Sequence, residues 1–407
     1  VADIPVDPQT SSISGGNDPA RNQGSLRVPL YETSTFVFES AEAGRRYFEV
    51  VYGGASTEPG EEIGYSYSRL DAPNLRVAEE RIAAWEECED ALVFNSGTAA
   101  MATVFMRVLR PGDTVLHSTP VYGGTASLLR GVMGEFGVTA IPFGPEDTID
   151  DLEAKLDGRS PKLVFVETPA NPTNDVFDLE VVVGIARRHG AVSVCDNTFL
   201  SPVWQRPARH GIDLVAHSAT KYLGGHSDIT AGAVAGPREL IEPIRKLRYQ
   251  IGTTAQPWTA WMLTRSLETL QVRVERQTGN ATRLAEFLSA HPKVTRVSHL
   301  SLLRPGDRGY EAYRKQAAGP GAMVTFDVAG GEEEVFRFLD SLRVIRHAVS
   351  LGGTETIVSL PWYASHANIP AEERLALGIA QSTVRMSVGL EAADDLIADL
   401  SQALERA

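Results

Sequence analysis

Lys221 lies in the run Ala216-His217-Ser218-Ala219-Thr220-Lys221-Tyr222-Leu223-Gly224-Gly225-His226, between the apolar stretch 212–216 and a glycine pair. A lysine at the end of a buried strand loses hydration, and burial favours the neutral amine, the form that attacks a carbonyl to make a Schiff base. Ser218 and Thr220 point the same way from an extended chain, and short hydroxyls of this kind suit a phosphate. An amine beside a phosphate grip describes a lysine that holds pyridoxal 5′-phosphate (PLP). The other reading of the same residues is a loop lysine with its charge in solvent, where most single charged residues sit.

Asp196 follows the apolar run 191–195 and precedes Asn197-Thr198. A carboxylate at a strand end needs a cationic partner, and the PLP ring nitrogen is one: an Asp there keeps the pyridine protonated and electron-withdrawing. The alternative is an Asp capping the next turn through its side chain. Asn95-Ser96-Gly97-Thr98-Ala99-Ala100 joins a strand to a helix, and its small residues let the helix N-terminus offer unpaired N–H groups to an anion. The same residue types also make ordinary N-caps. Tyr122, in Pro120-Val121-Tyr122-Gly123-Gly124-Thr125, suits stacking on a flat ring, or plain packing. Arg385 interrupts the apolar strand around Val384-Arg385-Met386-Ser387, where a guanidinium suits a two-pronged grip on a substrate carboxylate or a structural ion pair. His217 and His226 flank the lysine without a compact set of further ligands, so no metal is expected. Neither Cys88 nor Cys195 has a Cys-x-x-Cys partner, and redox chemistry is not expected.

The elements that must position these residues follow from periodicity. Short apolar runs recur at 91–94, 114–117, 138–143, 162–167, 191–195, 213–216 and 231–235, with helical segments such as 179–189 between them. Continuous apolar runs of this kind belong to a sheet buried on both faces, which makes an α/β fold with a mainly parallel sheet. Ligands gather where such strands end, and these ends carry Ser96-Gly97-Thr98, Glu167, Asp196 and Ser218 to Lys221. From Pro73 an amphipathic helix is expected, with Leu75, Ala78, Ile82 and Trp85 on its core face and Arg76, Glu79, Glu80 and Glu86 elsewhere. Beyond about Gly252, one long helical region at 258–290 precedes strands at 294–300, 322–328, 344–350 and 383–388 and helices at 332–341 and 393–405, a smaller α+β domain. Residues 31–38 are β-branched and aromatic, 41–51 helical, and 52–64 a loop rich in Gly, Pro and Glu. The polar start, 1–24, reads as a flexible arm without the basic and apolar regions of a signal peptide.

A chain of 407 residues needs more than one packed unit. With 43% hydrophobic and 22% charged residues, and no apolar run that approaches a membrane span, a globular enzyme is expected and a membrane partner is not. The net charge of −14 opposes nucleic acid and anionic lipid. Two cysteines make no disulfide framework, which fits a reducing cytoplasm.

Taken together and in this order, Tyr67-Ser68-Arg69, Ser96-Gly97-Thr98-Ala99-Ala100, Tyr122-Gly123-Gly124-Thr125, Glu167-Thr168-Pro169-Ala170-Asn171-Pro172, Asp196-Asn197-Thr198-Phe199, Ser218-Ala219-Thr220-Lys221-Tyr222, Ser350-Leu351-Gly352-Gly353 and Arg385-Met386-Ser387-Val388 resemble the Cys/Met-metabolism family of PLP-dependent enzymes. That family includes cystathionine γ-synthase, cystathionine γ-lyase and methionine γ-lyase. The resemblance implies the PLP-dependent transferase fold type I, with residues 1–64 as arm and inter-subunit segment, 65–252 as the PLP-binding domain and 253–407 as the C-terminal domain. It implies that Lys221 carries PLP and shuttles protons, that Asp196 pairs with the ring nitrogen, and that Gly97, Thr98, Ser218 and Thr220 bind the phosphate. Tyr67 and Arg69 would complete that phosphate site in a neighbouring subunit, so the assembly implied is a homotetramer built from active-site-sharing dimers. Tyr122 would stack on the ring and act as acid toward a departing thiol, Asn171 would lie near the cofactor hydroxyl, Ser350 near the lysine, and Arg385 on the substrate carboxylate. The expected reaction is γ-elimination on a sulfur amino acid such as L-methionine or L-cystathionine. The alternatives are γ-replacement on an O-acyl-L-homoserine and, in another class, a regulatory protein that keeps PLP without turnover. The chain departs from the best-known methionine γ-lyases at Gly124, where they carry Cys, and at Arg248-Tyr249, where they carry Lys-Asp. It also has Ala72-Pro73-Asn74 in place of Asn-Pro-Thr, and an apparent insertion at 52–64.

Overall fold

Each of the seven apolar runs of the first half is a strand in the computed structural model, which describes residues 6–58, 61, 63–367 and 369–407. They are β1 (Asp90–Phe94), β2 (Thr114–Ser118), β3 (Thr139–Phe143), β4 (Pro161–Glu167), β5 (Val192–Asp196), β6 (Leu214–His217) and β7 (Gly232–Gly236). They form one sheet in the order β1-β7-β6-β5-β4-β2-β3. Strands β2 to β6 pair in parallel, and β7 runs against both of its neighbours. Separate apolar clusters pack on the sheet's two faces, one around Phe105 and Phe165 and one around Phe143 and Phe177, as a sheet buried on both sides requires. Because the strands are parallel, β1, β2, β4, β5 and β6 all end along one edge, where the candidate residues gather.

A second, smaller sheet of five strands follows, β8 (Val294–Ser298), β9 (Met323–Val328), β10 (Arg346–His347), β11 (Ile357–Ser359) and β12 (Thr383–Ser387), in the order β10-β11-β12-β9-β8. The expected strand at 344–350 is reduced to two residues, because the chain leaves the sheet there and turns Ser350 toward the large sheet. Strand β11 had no counterpart among the expected strands, and three residues are too few for periodicity to reveal. The expected helical region 258–290 is two helices, Pro257–Leu267 and Leu270–Ala290, broken at Glu268-Thr269. The apolar core is continuous across both sheets: Trp85, Leu263, Phe326 and Leu400 belong to one cluster.

Four helices belong to the first hundred or so residues, α1 (Pro8–Ser14), α2 (Ala41–Val51), α3 (Pro73–Glu86) and α4 (Gly97–Val108), of which α4 reaches the cavity. The arm departs from expectation, while its residues 1–5 lie outside the described part. From Pro8 it is folded: Asp7 caps α1 through the Gln9 N–H, and Arg81 donates to the Gly15 and Ile13 carbonyls, docking α1 on α3. The β-like stretch 31–38 contributes a single bridge, Thr35 to Tyr67.

Helix α3 departs further. Its core face is as expected, with Trp85 1% exposed, but Glu79 and Glu86, expected away from that face, fall at helical spacing beside Leu75 and Ile82 and are 1% and 0% exposed. Glu79 accepts from Arg245 Nη1 at 3.0 Å, from Arg248 Nη1, and from the Val93 N–H at 3.1 Å. Burial by itself would raise this carboxyl, yet Arg248 and Arg245 hold it at about 2. Glu79→Leu should therefore destabilise the protein by about 3–5 kcal/mol, because it leaves two buried guanidinium groups short of their counter-charge. An unfolding midpoint equal to wild type would show that the network contributes nothing net.

Candidate active site

The strand ends open on a cavity of about 720 Å³. Gly97, Thr98, Tyr122, Asn171, Asp196, Ser218, Thr220, Lys221, Ser350 and Arg385, all expected from the sequence, line it. Gly97 and Thr98 come from the start of one helix, Ser218, Thr220 and Lys221 from the loop after β6, and the others from separate segments. Helix α4 begins at Gly97 with Ser96 as its N-cap, which accepts from Ala99, and the N–H groups of Gly97 and Thr98 are left without an acceptor in the described chain. A Cβ on Gly97 would lie 2.9 Å from the Ser218 Cα, so only glycine lets the helix start approach the Ser218 loop. The Thr220 hydroxyl exchanges hydrogen bonds with the Ala231 main chain at 3.1 and 2.9 Å.

Lys221 is half-buried rather than solvated, and its Nζ donates to Ser350 Oγ at 2.7 Å. Burial, then the Arg385 charge, lower its amine from 10.5 to about 8. Ser350 holds φ at 103°, a backbone conformation that L residues rarely adopt. Its carbonyl accepts from Arg385 Nη2 at 3.0 Å, while Arg385 Nη1 donates to Asn171 Oδ1 at 2.9 Å. Arg385 makes no ion pair among the described residues, and its Nε is buried without a partner. The structural ion pair is thus not what holds it, and burial lowers this guanidinium to about 10. Asp196 has both characters read from the sequence. Its Oδ1 accepts from the Thr198 N–H at 3.0 Å and from the Thr198 hydroxyl, capping the turn, yet the side chain lines the cavity, and no Arg or Lys of the described chain pairs with it. Burial raises its carboxyl.

The sequence profile of the Cys/Met metabolism PLP-dependent enzymes matches residues 9–405. This chain belongs to that family. The match starts well before Tyr65, where the sequence motifs begin. An L-methionine gamma-lyase of Pseudomonas putida is 39% identical over 401 residues, covering 97% of this chain and 96% of the relative. A cystathionine gamma-lyase of Dictyostelium discoideum is 37% identical over 398 residues, covering 98% and 97%. A solved cystathionine gamma synthase from Xanthomonas oryzae pv. oryzae in complex with cystathionine has a TM-score of 0.89 to this chain at 34% identity, covering 99% of both. The fold is accordingly that of the Cys/Met-family PLP enzymes, and the cofactor is PLP.

The site fits that cofactor on its own chemistry: an aspartate awaiting a cation, free helix N–H groups facing a hydroxyl for a dianion, and an amine of lowered pKa between them. Attachment of PLP to the PLP-free protein should accelerate about tenfold per pH unit below pH 8 and level off above it, since only the neutral amine attacks. Stopped-flow absorbance after mixing checks this, and a rate still climbing tenfold per unit near pH 10 means a solvent-like lysine.

Tyr67 and Arg69 stand apart from the other expected residues. Both are exposed, neither lines the cavity, and Arg69 Nη1 donates to the Tyr249 carbonyl at 2.6 Å. Arg248 is fully buried on Glu79 and also outside the cavity. At Gly124 a Cβ would fall 2.4 Å from Tyr122 Cε1, so any side chain there, Cys included, requires the Tyr122 ring to sit elsewhere. His217, raised as a metal ligand and set aside, is bound to Glu86, and among the described residues no cluster of His, Cys or acids is placed to hold a metal. No helix of the described chain is long and apolar enough to cross a membrane. Glu167 stands out in the sequence as a strand end without a role, and Ala364, Ser365 and Ala367, small residues of an irregular segment that line the cavity, carry no sequence signal at all.

Proposed function

We propose that this protein catalyses γ-elimination on a sulfur amino acid such as L-methionine or L-cystathionine, giving 2-oxobutyrate, ammonia and a thiol. The observation that carries it is a buried guanidinium with no ion-pair partner among the described residues, Arg385, joined through Ser350 to the lowered amine of Lys221. Bound PLP supplies an electron-withdrawing ring that stabilises negative charge on the substrate carbon. Arg385 then holds the α-carboxylate, with Asn171 fixing the guanidinium from the other side. The neutral amine of Lys221 would carry protons at the α- and β-carbons of the substrate. Asp196 keeps the ring nitrogen protonated, and the Tyr122 hydroxyl protonates the departing sulfur. Gly97, Thr98, Ser218 and Thr220 bind the phosphate. The methionine and cystathionine gamma-lyase relatives support elimination. The likeness to a cystathionine gamma synthase supports the second reading, γ-replacement on an O-acyl-L-homoserine. Incubation with methionine, cystathionine and O-acyl homoserines, with and without an added thiol, separates them: 2-oxobutyrate without thiol supports elimination, and a new thioether with little 2-oxobutyrate overturns it.

Residues 65–252 serve as the PLP domain and 253–407 as its cover in this reading, in a cytoplasmic enzyme. The assembly is a homotetramer of site-sharing dimers, supported by the exposure of Tyr67 and Arg69 outside their own chain's cavity. Mixing inactive Arg69→Ala with inactive Lys221→Ala under subunit exchange should restore part of the activity, because one site of each mixed pair has both residues intact. No recovery after exchange confirmed by mass would place Arg69 in its own chain's site or in none.

A further inference from the structure

Glu167 ends β4 and is 4% exposed, and the mechanism above gives it no task. Its two oxygens have separate partners. Oε2 accepts from the Tyr122 N–H at 2.9 Å and Oε1 from the Asn171 N–H at 2.7 Å. These donors lie on two different loops, one after β2 and one after β4, that line the cavity. The strand beneath is itself fixed, since the Glu167 N–H donates to Ser118 Oγ at 2.9 Å. Glu167 also stands directly beside Asp196 in the sheet register.

A carboxylate buried next to another carboxylate is not placed for packing. Burial, then Asp196, push its pKa up to about 8, while the Asn171 and Tyr122 N–H groups and Arg385 oppose that rise. A hydrocarbon of the same size would avoid this unfavourable placement, so what the residue contributes is two side-chain acceptors for main-chain N–H groups. What they hold extends to the reacting groups: Asn171 bonds Arg385, Arg385 bonds Ser350, and Ser350 bonds Lys221.

We propose that Glu167 is a positioning residue that clasps the Tyr122 and Asn171 loops to one carboxylate, setting the tyrosine and, through Asn171, the Arg385 guanidinium in register with Lys221. This rests on the functional reading above for the tasks of Tyr122 and Arg385, but the clasp itself does not require it.

Glu167→Gln tests the clasp. At a pH above the raised pKa of about 8, where Glu167 is ionised, the amide keeps the size and offers one acceptor where the carboxylate offers two, so one N–H loses its partner. In the PLP-free protein, hydrogen exchange at Tyr122 or Asn171 should rise about tenfold or more while the amides of Leu163 to Val166 are unchanged. In the PLP-loaded protein, kcat/KM on whichever amino acid the wild type consumes should fall roughly 10–100-fold at unchanged PLP content, the scale of a small misplacement of reacting groups. Val166→Ala, which thins the packing of the same strand and leaves both Glu167 oxygens in place, controls for stability and should leave kcat/KM within about twofold. Unchanged exchange at both amides overturns the clasp. Raised exchange with kcat/KM within about twofold of wild type, or an equal loss in Val166→Ala, overturns the positioning role. Failure of the wild type to consume any sulfur amino acid or homoserine ester would count against the functional reading alone, because the exchange measurement still decides the clasp.

Discussion

Lys221→Ala is expected to lose turnover by about 10⁴-fold or more, the scale on which a residue that is both attachment point and proton carrier acts. Two separate losses combine. The variant has no amine of lowered pKa in the cavity, so PLP is held by the phosphate cradle and Asp196 alone and should wash out on gel filtration. It also has no group at the Lys221 position to move the α-proton, so saturating PLP does not restore the rate. Borohydride reduction followed by peptide mass analysis identifies the attachment point in the wild type: the cofactor mass should appear on the peptide that contains Lys221. Cofactor mass on any other lysine, or retained turnover in the variant, overturns the assignment.

Asp196→Asn should cut kcat by roughly 10²–10³-fold with little change in folding. The substitution is informative because of what it keeps. The amide oxygen still accepts from the Thr198 N–H that Asp196 Oδ1 now holds, so the turn after β5 persists and the loss reports the charge. Asn cannot hold a proton on the ring nitrogen, so the bound ring withdraws electrons less strongly and the α-proton leaves more slowly. An unfolding midpoint near wild type with a large loss of kcat is the expected pair of results. Near-normal kcat would remove Asp196 from the mechanism and leave it as a turn cap.

Residues at strand ends were legible from sequence because two periodic signals coincide there. Apolar runs locate the strands, and parallel pairing sends each chemically unusual residue after a run to the same edge, as it does for Gly97, Asp196, Ser218 and Lys221. Ordered motifs added Ser350 and Arg385, which no periodicity links to the lysine: 129 residues separate Lys221 from Ser350, and 214 separate Asn171 from Arg385. Their meeting depends on how the smaller sheet docks.

The amino-acid sequence by itself determined the α/β class, the positions of the large sheet's strands and the family, and it singled out Lys221 and Asp196 as candidates at the strand ends. Those depend on the backbone period and on local residue type, which any short window of the chain carries. Only the tertiary structure decided that Glu79 and Glu86 are buried, that Glu167 bridges two loops, that Arg385 forms no ion pair among the described residues and that Tyr67 and Arg69 lie outside their own chain's cavity. A charged residue on a helix looks solvated until its counter-ion is known, and that counter-ion is chosen by contacts such as Glu79 with Arg245, 166 residues apart, which no local pattern records.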